Sequence, residues 1–215
     1  MSSDDLGPRT LPATQRQRRA WRKLASTYDQ KMDRTERRLL AGTREWIGRR
    51  ASGRVLEVAI GTGRNLSHYD RGVSVTGVDL SPEMLAIARR RAAELGRAVE
   101  LLEGDAEALP FDDASFDTIV CALALCSIPR AGTAVREMAR VVRPGGSVLL
   151  VDHIGSTWPP IYAGQWLIER FTIATEGEHL TRRHVNEARS AGLQIVERER
   201  LQAGMVERIR ATRPG

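Results

Sequence analysis

Apolar residues are concentrated in five short runs, and the segments between the runs carry apolar residues at helical spacing. Runs rich in Val, Ile and Leu that are bounded by turn residues predict strands buried on both faces of a parallel sheet. The predicted strands lie near 54–60, 73–79, 98–103, 115–122 and 147–153. Because these strands alternate with helices, the pattern predicts an α/β protein with a doubly wound, mostly parallel sheet that helices cover on both faces.

Helical segments flank and separate the strands, and two more strands follow the last helix. The helices are expected near 15–29, 33–50, 131–142 and 181–191. The third of them ends where Pro144-Gly145-Gly146 launches the fifth strand. The final segments, 194–201 and 205–211, predict an antiparallel pair that closes the sheet.

The first predicted strand ends in two glycines, Gly61 and Gly63. Glycines after a buried strand bring backbone N–H groups and a helix N-terminus to a ligand without side chains in the way. A turn that merely needs positive φ gives the same pattern, so the glycine pair alone leaves both interpretations open. The second strand ends in Asp79, whose carboxylate can accept both hydroxyls of a ribose. Ser81 and Pro82 then begin a long helix as N-cap and first residue, and together these features predict a nucleoside site.

Two further positions bear on which nucleoside is bound. Dinucleotide-binding turns favour a third glycine three residues after the second, and this chain has Leu66 there. After the third strand comes Asp105-Ala106, where the carboxylate suits an adenine amino group and the next backbone N–H suits a ring nitrogen. A dinucleotide site is therefore disfavoured.

From about Tyr28 onward, the chain resembles the class I S-adenosylmethionine-dependent methyltransferases. The resemblance rests on four motifs in the family's order: VLEVAIGTG (55–63), VTGVDLSPEML (75–85), EGDAEALPFDDASFDTIV (103–120) and RVVRPGGSVLLVDH (140–153). It implies a Rossmann-like fold with a seven-stranded sheet. It also implies that S-adenosyl-L-methionine is the cofactor and S-adenosyl-L-homocysteine the product.

The resemblance assigns the cofactor contacts as well. In the family, the glycines of the first motif pass under the methionine moiety, the residue matching Asp79 holds the ribose, and those matching Asp105-Ala106 flank the adenine. Leu80 and Met84 would lie against the adenine face, although Met84 also has the spacing of a core residue, and Tyr28 would close over the cofactor. The expected cofactor contacts are Tyr28, Glu57, Ala59, Gly61, Gly63, Asp79, Leu80, Met84, Asp105, Ala106 and Cys121.

One position departs from the family pattern. The first motif usually carries another glycine two residues before Gly61, and this chain has Ala59 there. Since alanine tolerates the backbone geometry of a strand, we expect the cofactor to bind. The Ala59→Gly change should then leave its affinity within about tenfold, or about 1.4 kcal/mol.

Composition limits the class of protein. With 215 residues and 41% apolar content, the chain can build one sizeable core, so we expect a single domain over 15–215 after a disordered tail over 1–14. No apolar run has membrane-spanning length and the start is polar and basic, which predicts a cytoplasmic protein.

Cys121 and Cys126 are too few and too close for a disulfide framework and lack metal-ligand partners, so no metal site is expected. They either pack at the top of the sheet or line the pocket.

Positive charge is concentrated at the N-terminus. Residues 1–50 hold 13 Lys or Arg against 6 Asp or Glu, whereas the net charge of the whole chain is +6. Trp21, Leu24 and Tyr28 form an apolar stripe beside the basic face of the first predicted helix. Such a helix can lie on an anionic membrane or contact phosphates, or it can cover the core with its charges in solvent. The resemblance favours lid helices over 15–50.

Residues 155–180 form an insertion that we expect to select the substrate. Trp158, Tyr162, Trp166 and Phe171 are four of the ten aromatic residues of the chain. Their density indicates an apolar lid over the methyl donor. A helix packed on the sheet edge or at the interface of a homodimer fits the same pattern, so monomer and homodimer both stay open.

A narrower resemblance covers the segment from Cys121 to Arg182. The pieces that carry it are LALCSIP (123–129), REMARVVRPGG (136–146), VDHIGSTW (151–158) and GEHLTRR (177–183). They are similar to small methyltransferases that group with alkyl-thiol S-methyltransferases and with bacterial phosphatidylethanolamine N-methyltransferases. This implies an apolar or amphipathic acceptor such as a thiol, an amine, a hydroxyl, a lipid headgroup or a quinone precursor.

Methyl transfer from a sulfonium needs the acceptor held in line with the methyl group, without a covalent protein intermediate. An acceptor thiol or hydroxyl must lose its proton, and the candidate bases are Asp152, His153 and His179. Each also has a structural interpretation, because Asp152 and His153 can anchor a strand end and His179 can cap the following helix.

Two other functions compete with a small-molecule methyltransferase. A protein that binds the cofactor without turnover has the same cofactor motifs. A nucleic-acid methyltransferase would use the basic N-terminus, but base-amine enzymes carry an Asn/Asp-Pro-Pro-aromatic motif where this chain has residues 121–125, Cys-Ala-Leu-Ala-Leu. We therefore expect no nucleic-acid partner.

Overall fold

The computed structural model describes residues 12–175 and 179–215. Its centre is a seven-stranded sheet in the order β3-β2-β1-β4-β5-β7-β6, in which β7 runs antiparallel to both neighbours and the other described pairs are parallel. The strands are β1 (Arg54–Val58), β2 (Ser74–Asp79), β3 (Val99–Glu103), β4 (Phe116–Ala122), β5 (Val142–His153), β6 (Gln194–Leu201) and β7 (Val206–Thr212). The predicted fold class is confirmed, including the closing antiparallel pair.

Helices cover both faces of this sheet. They are α1 (Pro12–Leu39), α2 (Thr43–Gly48), α3 (Pro82–Glu94), α4 (Ala131–Val141), α5 (Pro159–Thr175) and α6 (His184–Ser190), with a short 3-10 helix over Arg64–Ser67. None of the described helices combines the length and the apolarity needed to cross a bilayer.

The N-terminal helices differ from the prediction. A break was expected between 29 and 33, but α1 continues through it, because Gln30, Lys31 and Met32 are all good helix formers. The chain turns instead at Gly42, whose φ of 73° is in the left-handed region that favours glycine. Because α1 begins at Pro12, the last three residues of the predicted tail are helical, and the rest of it lies outside the described residues.

The core consists of two apolar layers, one on each face of the sheet. Successive residues of a strand alternate between the layers: Leu56 packs in the layer with α4 and α6, whereas Val55 packs in the layer with α2 and α3. Ile119 and Val120 of β4 alternate in the same way. Since both faces are buried, the strands read in sequence as nearly continuous apolar runs.

The strand order places a crevice at the carboxyl end of the sheet. From β1 the chain proceeds to β2 and β3 on one side, and then crosses back to β4 on the other. The loops that follow β1 and β4 therefore diverge, and in open α/β sheets ligands bind in the gap between them.

Candidate functional site

A cavity of about 840 Å³, including space open to solvent, lies at this crevice. Its walls come from the turn after β1, the ends of β2 and β4, and the loop after β3, while α1 forms the roof through Gln17, Trp21 and Tyr28. Nine of the fourteen residues predicted for the site line this wall. They are Tyr28, Glu57, Ala59, Gly61, Asp79, Leu80, Met84, Asp105 and Ala106, whereas Gly63, Cys121 and the three predicted catalytic residues do not line it.

The turn after β1 is open above Gly61. A Cβ built on Gly61, whose φ is 58°, would meet no atom within 4 Å, so the backbone here faces empty space. Gly63 has a different role, because a Cβ there would lie 2.9 Å from Leu66 Cδ1 and 3.2 Å from Ala88 Cβ. Gly63 thus allows the 3-10 helix to pack against α3 and does not line the cavity.

Ala59 does not have the strand geometry that was expected of it. Its φ is 55°, in the left-handed region, and β1 ends one residue earlier, at Val58. Leu123, on the opposite wall just after β4, has a φ of 57°. Non-glycine residues in this region are strained and are concentrated at functional sites. Both strands that flank the crevice therefore end in a strained residue on the cavity wall.

Asp79 presents a buried carboxylate at the end of β2. Its Oδ2 accepts a hydrogen bond from the Gly61 N–H at 2.8 Å, and its Oδ1 accepts one from the Ser81 N–H at 2.8 Å. Burial raises the pKa of Asp79 to about 6, although these two bonds act in the opposite direction. Ser81 and Pro82 begin α3 as the sequence predicts, with the Ser81 Oγ accepting from the Met84 N–H. Because a carboxylate has four lone pairs, Asp79 can still accept bonds from a ligand.

Glu57 is buried in the wall and has two polar partners that the sequence did not reveal. Its Oε1 accepts from Asn65 Nδ2 at 2.7 Å and its Oε2 accepts from the Tyr69 hydroxyl at 2.7 Å. Burial raises the pKa of Glu57 to about 7. Arg44 donates to Asn65 Oδ1 at 2.6 Å and extends the network. A Glu within an apolar strand was the signal that such partners must exist.

The residues predicted to surround the adenine form one side of the cavity. Leu80, Met84 and Ala106 contribute apolar surface, and Met84 is also part of the interior, with 2% of its surface exposed. Asp105 Oδ1 accepts from the Glu107 N–H at 2.9 Å, and burial raises the pKa of Asp105. Cys121, in contrast, lies in the apolar layer beneath α4. It shares this face of β4 with Ile119, two residues earlier, whereas Val120 between them points to the other layer.

Helix α1 is attached to the cavity rim by a group of polar contacts that we name the α1 latch: Asp29, Thr62, Arg64 and Arg91. Asp29 accepts from the Thr62 hydroxyl at 2.7 Å and pairs with Arg91 at 2.6 Å, while Arg64 pairs with Asp33 of the same helix at 2.6 Å. Burial alone would raise the pKa of Asp29, but the hydrogen bonds from Thr62 and Arg91 lower it. The latch holds the roof closed.

The roof itself is aromatic. Trp21 and Tyr28 pack edge to face with their ring centroids 5.9 Å apart, and burial raises the pKa of the Tyr28 hydroxyl, which therefore stays protonated. Trp21 and Tyr28 of the apolar stripe predicted from the sequence thus face the cavity, whereas Leu24 does not line it.

The three predicted catalytic residues lie outside the cavity wall. Asp152 is buried at the end of β5, where its Oδ2 accepts from the Cys126 N–H at 2.9 Å and its Oδ1 from the His153 N–H at 2.8 Å. The His179 N–H donates to the Cys126 carbonyl at 2.8 Å, and its ring lies 3.6 Å from Glu169. These residues surround the loop after β4 and do not line the cavity. Their part in proton transfer stays a prediction.

Comparison with known proteins gives the site a chemical context. Residues 56–150 match the profile of a family described as "Methyltransferase domain". Phosphatidylethanolamine N-methyltransferase of Cereibacter sphaeroides is 44% identical over 121 residues, which cover 55% of this chain and 60% of that protein. Demethylmenaquinone methyltransferase of Beutenbergia cavernae is 37% identical over 133 residues, which cover 61% of this chain and 52% of that protein. The chain thus spans little more than half the length of the curated relatives it matches.

A solved structure agrees on the fold. Phosphoethanolamine N-methyltransferase 2 of Haemonchus contortus, in complex with S-adenosyl-L-methionine, superposes with a TM-score of 0.61 at 18% identity. The superposition covers 77% of this chain and 50% of that one. Residues 56–150 therefore match a methyltransferase domain, and the class I S-adenosylmethionine-dependent methyltransferases remain the group that the chain resembles from about Tyr28 onward.

Proposed function

We propose that the chain is an S-adenosylmethionine-dependent methyltransferase that acts on a small apolar or amphipathic acceptor. The observation that carries the proposal is the open space above Gly61, beside the buried carboxylate of Asp79. A nucleoside needs this arrangement, because its ribose hydroxyls donate to a carboxylate while the rest of the molecule passes close to backbone. When bound, the cofactor supplies an activated methyl group on a sulfonium.

The residues on the wall fit that cofactor. Asp79 keeps lone pairs for the ribose hydroxyls, and Asp105 keeps its Oδ2 for an adenine amino group, with Leu80 and Met84 against the ring. The methionine end would lie over Gly61, with Ala59 narrowing the passage by one methyl group. Tyr28 and Trp21 exclude water from above, since the α1 latch holds them over the cavity.

Helix α5 supports an acceptor that is presented at a lipid surface. It exposes large apolar side chains along most of its length, with Phe171 at 70% and Leu167 at 58% of their surface exposed. The guanidinium of Arg170 lies 4.7 Å from the centre of the Trp166 ring. Aromatic, aliphatic and cationic groups on one surface helix are typical of segments that lie in the membrane interface. The basic residues of α1 would add attraction to an anionic membrane.

The relatives narrow the acceptor class. One is named for methylation of a lipid headgroup amine, and another for methylation of a quinone precursor. Both compounds have a polar reacting end and an apolar body, which agrees with the exposed apolar side chains of α5. For an acceptor that must lose a proton, we propose His179 as the base, and it would have to approach the cavity, whose wall it does not line. Its side chain is 30% exposed, and burial lowers its pKa, so the ring can accept a proton near neutral pH.

The test is transfer of a labelled methyl group from S-adenosylmethionine. The purified protein is offered phosphatidylethanolamine vesicles, alkyl thiols, quinone precursors and total RNA in parallel. We expect label in a lipid, thiol or quinone fraction, and the Asp79→Ala variant should abolish it. Cofactor binding without transfer to any of them would instead indicate a protein that binds the cofactor without turnover, and label in RNA alone would refute the acceptor class.

The membrane part of the proposal has its own control. The double variant Leu167→Ser and Phe171→Ser should weaken binding to anionic vesicles while leaving cofactor affinity unchanged. Val196→Ser is the matched control, because Val196 is 54% exposed but lies on β6. Equal vesicle binding by both variants would refute a membrane role for α5. Light scattering would then show whether this face joins two copies of the chain.

A further inference from the structure

A group of metal-ligating side chains surrounds Asp152, below the cavity wall. One donor atom from each of Cys126, Asp152 and His153 lies within 4.8 Å of the other two. His184, the first residue of α6, places its Nε2 3.7 Å from Asp152 Oδ2. We name Cys126, Asp152, His153 and His184 the Asp152 cluster. Its members come from the loop after β4, the end of β5 and the start of α6, so no local sequence motif announced it.

His184 is the observation that points to a ligand. Only 2% of its surface is exposed, and neither ring nitrogen has a hydrogen-bond partner. An imidazole buried in this way loses its bonds to water without replacement, which is rare in native proteins. The 3.7 Å between Nε2 and the Asp152 carboxylate is too long for a hydrogen bond but suits two ligands of one ion.

Asp152 and His153 retain lone pairs that a cation can use. Each Asp152 oxygen accepts one backbone N–H, from Cys126 or from His153, and keeps a second lone pair. The His153 Nδ1 is buried and also lacks a partner. Cys126 forms no disulfide. Glu207 Oε2 is also buried without a hydrogen-bond partner, while its Oε1 pairs with Arg198 and Arg200. The lone pairs of Asp152 and the ring of His153 are thus available to a cation.

We infer that the Asp152 cluster binds a zinc ion. A thiolate, two imidazoles and a carboxylate are the ligand types that Zn²⁺ prefers, and four protein ligands make a closed tetrahedral site of the structural kind. Zinc–ligand bonds of about 2.0–2.3 Å place neighbouring donors about 3.4–3.7 Å apart. The donors of Cys126, Asp152 and His153 lie within 4.8 Å of one another, so they need to approach by about 1 Å. His184, 3.7 Å from Asp152 Oδ2 but outside that group of three, has to turn toward them to become the fourth ligand.

The consequence of such a site is a fixed cavity wall. Cys126 is followed directly by Ser127 and Ile128, both of which line the cavity. A zinc ion at the cluster would tie this loop to β5 and to α6. Arg182 already donates to the carbonyls of Leu125 and Ile128, so the loop would be fixed from both sides.

The experiment uses tag-free full-length protein that has been dialysed against a chelator. Titration with ZnCl₂ by calorimetry should give one ion per chain and a higher melting temperature. CoCl₂ should produce a thiolate-to-cobalt charge-transfer band and the visible spectrum of tetrahedral cobalt. The spectrum tests the proposal on the unmodified protein, independently of whether any variant folds and of whether the protein transfers methyl groups.

Variants locate the site. Cys126→Ala should remove the thiolate band and weaken zinc binding by at least about tenfold, and His184→Gln should weaken it similarly. Cys121→Ala is the matched control, because this second buried cysteine lies on β4 in the apolar layer and should change neither signal. Absence of saturable zinc binding would overturn the inference. So would a cobalt spectrum without a thiolate band, or equal zinc affinities for the two cysteine variants.

Discussion

Ala59 gives the sharpest test of the cavity, because two effects can be measured separately. Its strained backbone affects the stability of the fold, and its methyl group on the wall affects the affinity for the cofactor. Its φ of 55° is a conformation that alanine adopts only at a cost, whereas glycine adopts it freely. Replacing Ala59 by glycine relieves the strain and removes one methyl group from the passage. The change should therefore stabilise the fold while altering cofactor affinity little.

The magnitude follows from two opposing contributions. The left-handed conformation costs a non-glycine residue about 1–2 kcal/mol. The greater freedom of glycine in the unfolded chain offsets about 0.4–1 kcal/mol of that relief. The free energy of unfolding should thus rise by about 1 kcal/mol, which corresponds to about 2–4 °C in Tm for a chain of this size.

Calorimetry provides both readouts, with thermal unfolding for stability and titration with S-adenosylmethionine for affinity. Ala114→Gly is the matched control, because Ala114 also has a φ of 55° but lies outside the cavity wall. Both variants should gain similar stability, and Ala59→Gly should stay within about tenfold of the original cofactor affinity. Loss of stability in Ala59→Gly alone, or a larger change in its affinity, would refute this account of the turn.

Four further predictions concern the cavity and its roof. Asp29→Asn weakens the α1 latch and should raise the cofactor Kd by about tenfold in calorimetric titration, a loss of about 1.4 kcal/mol; an unchanged Kd would show that the latch is irrelevant to binding. Burial raises the pKa of Asp79 to about 6, and we propose that its ionised form binds the ribose. Cofactor affinity should therefore fall below pH 6, and Asp79→Asn should remove this pH dependence. The pKa of Glu57 is about 7 when folded against an ordinary 4.5, so the folded state holds the extra proton; stability should fall as the pH rises from 4.5 through 7, and melting curves of Glu57→Gln should show a smaller decline. Gly63→Ala should lower the free energy of unfolding by about 2 kcal/mol in denaturant titration, because it combines positive φ with a close contact to Leu66; a neutral effect would contradict the packing described.

The sequence predicted the strands, their arrangement in a doubly wound sheet and the turn after β1 well, because these features depend on local patterns. Buried parallel strands have a distinctive composition, and a glycine turn and a strand-end carboxylate have few other uses in this order. Asp79 and Gly61 could therefore be placed on one cavity before any coordinates were known. The path of α1 could not, because the sequence around Gln30 permits both a helix and a break, and its packing on the rim decides between them.

The mispredicted details depend on contacts between distant segments. A strand that is apolar on both faces does not reveal which residues point to which side, so Cys121 was assigned to the cavity although it lies in the core. Alanine itself gives no sign of the left-handed turn at Ala59, and the glycine that the family usually carries at this position was the available signal. His184 was overlooked because its neighbours, Asp152 and Glu207, are remote in sequence and meet only when the sheet is assembled.

The continuous helix α1 has a consequence for how fast small molecules exchange with the cavity. Trp21 and Tyr28 lie on the same continuous helix as Asp29 and Asp33. If the helix moves so that the two rings leave the cavity, the ion pairs of Asp29 with Arg91 and of Asp33 with Arg64 must also separate. These pairs are partly exposed, and dissolved salt weakens exposed pairs because the Debye length shortens from about 30 Å at 0.01 M to about 3 Å at 1 M. Release of the spent cofactor should therefore become faster as ionic strength rises, which makes the salt content of the medium a control on how long each molecule stays bound.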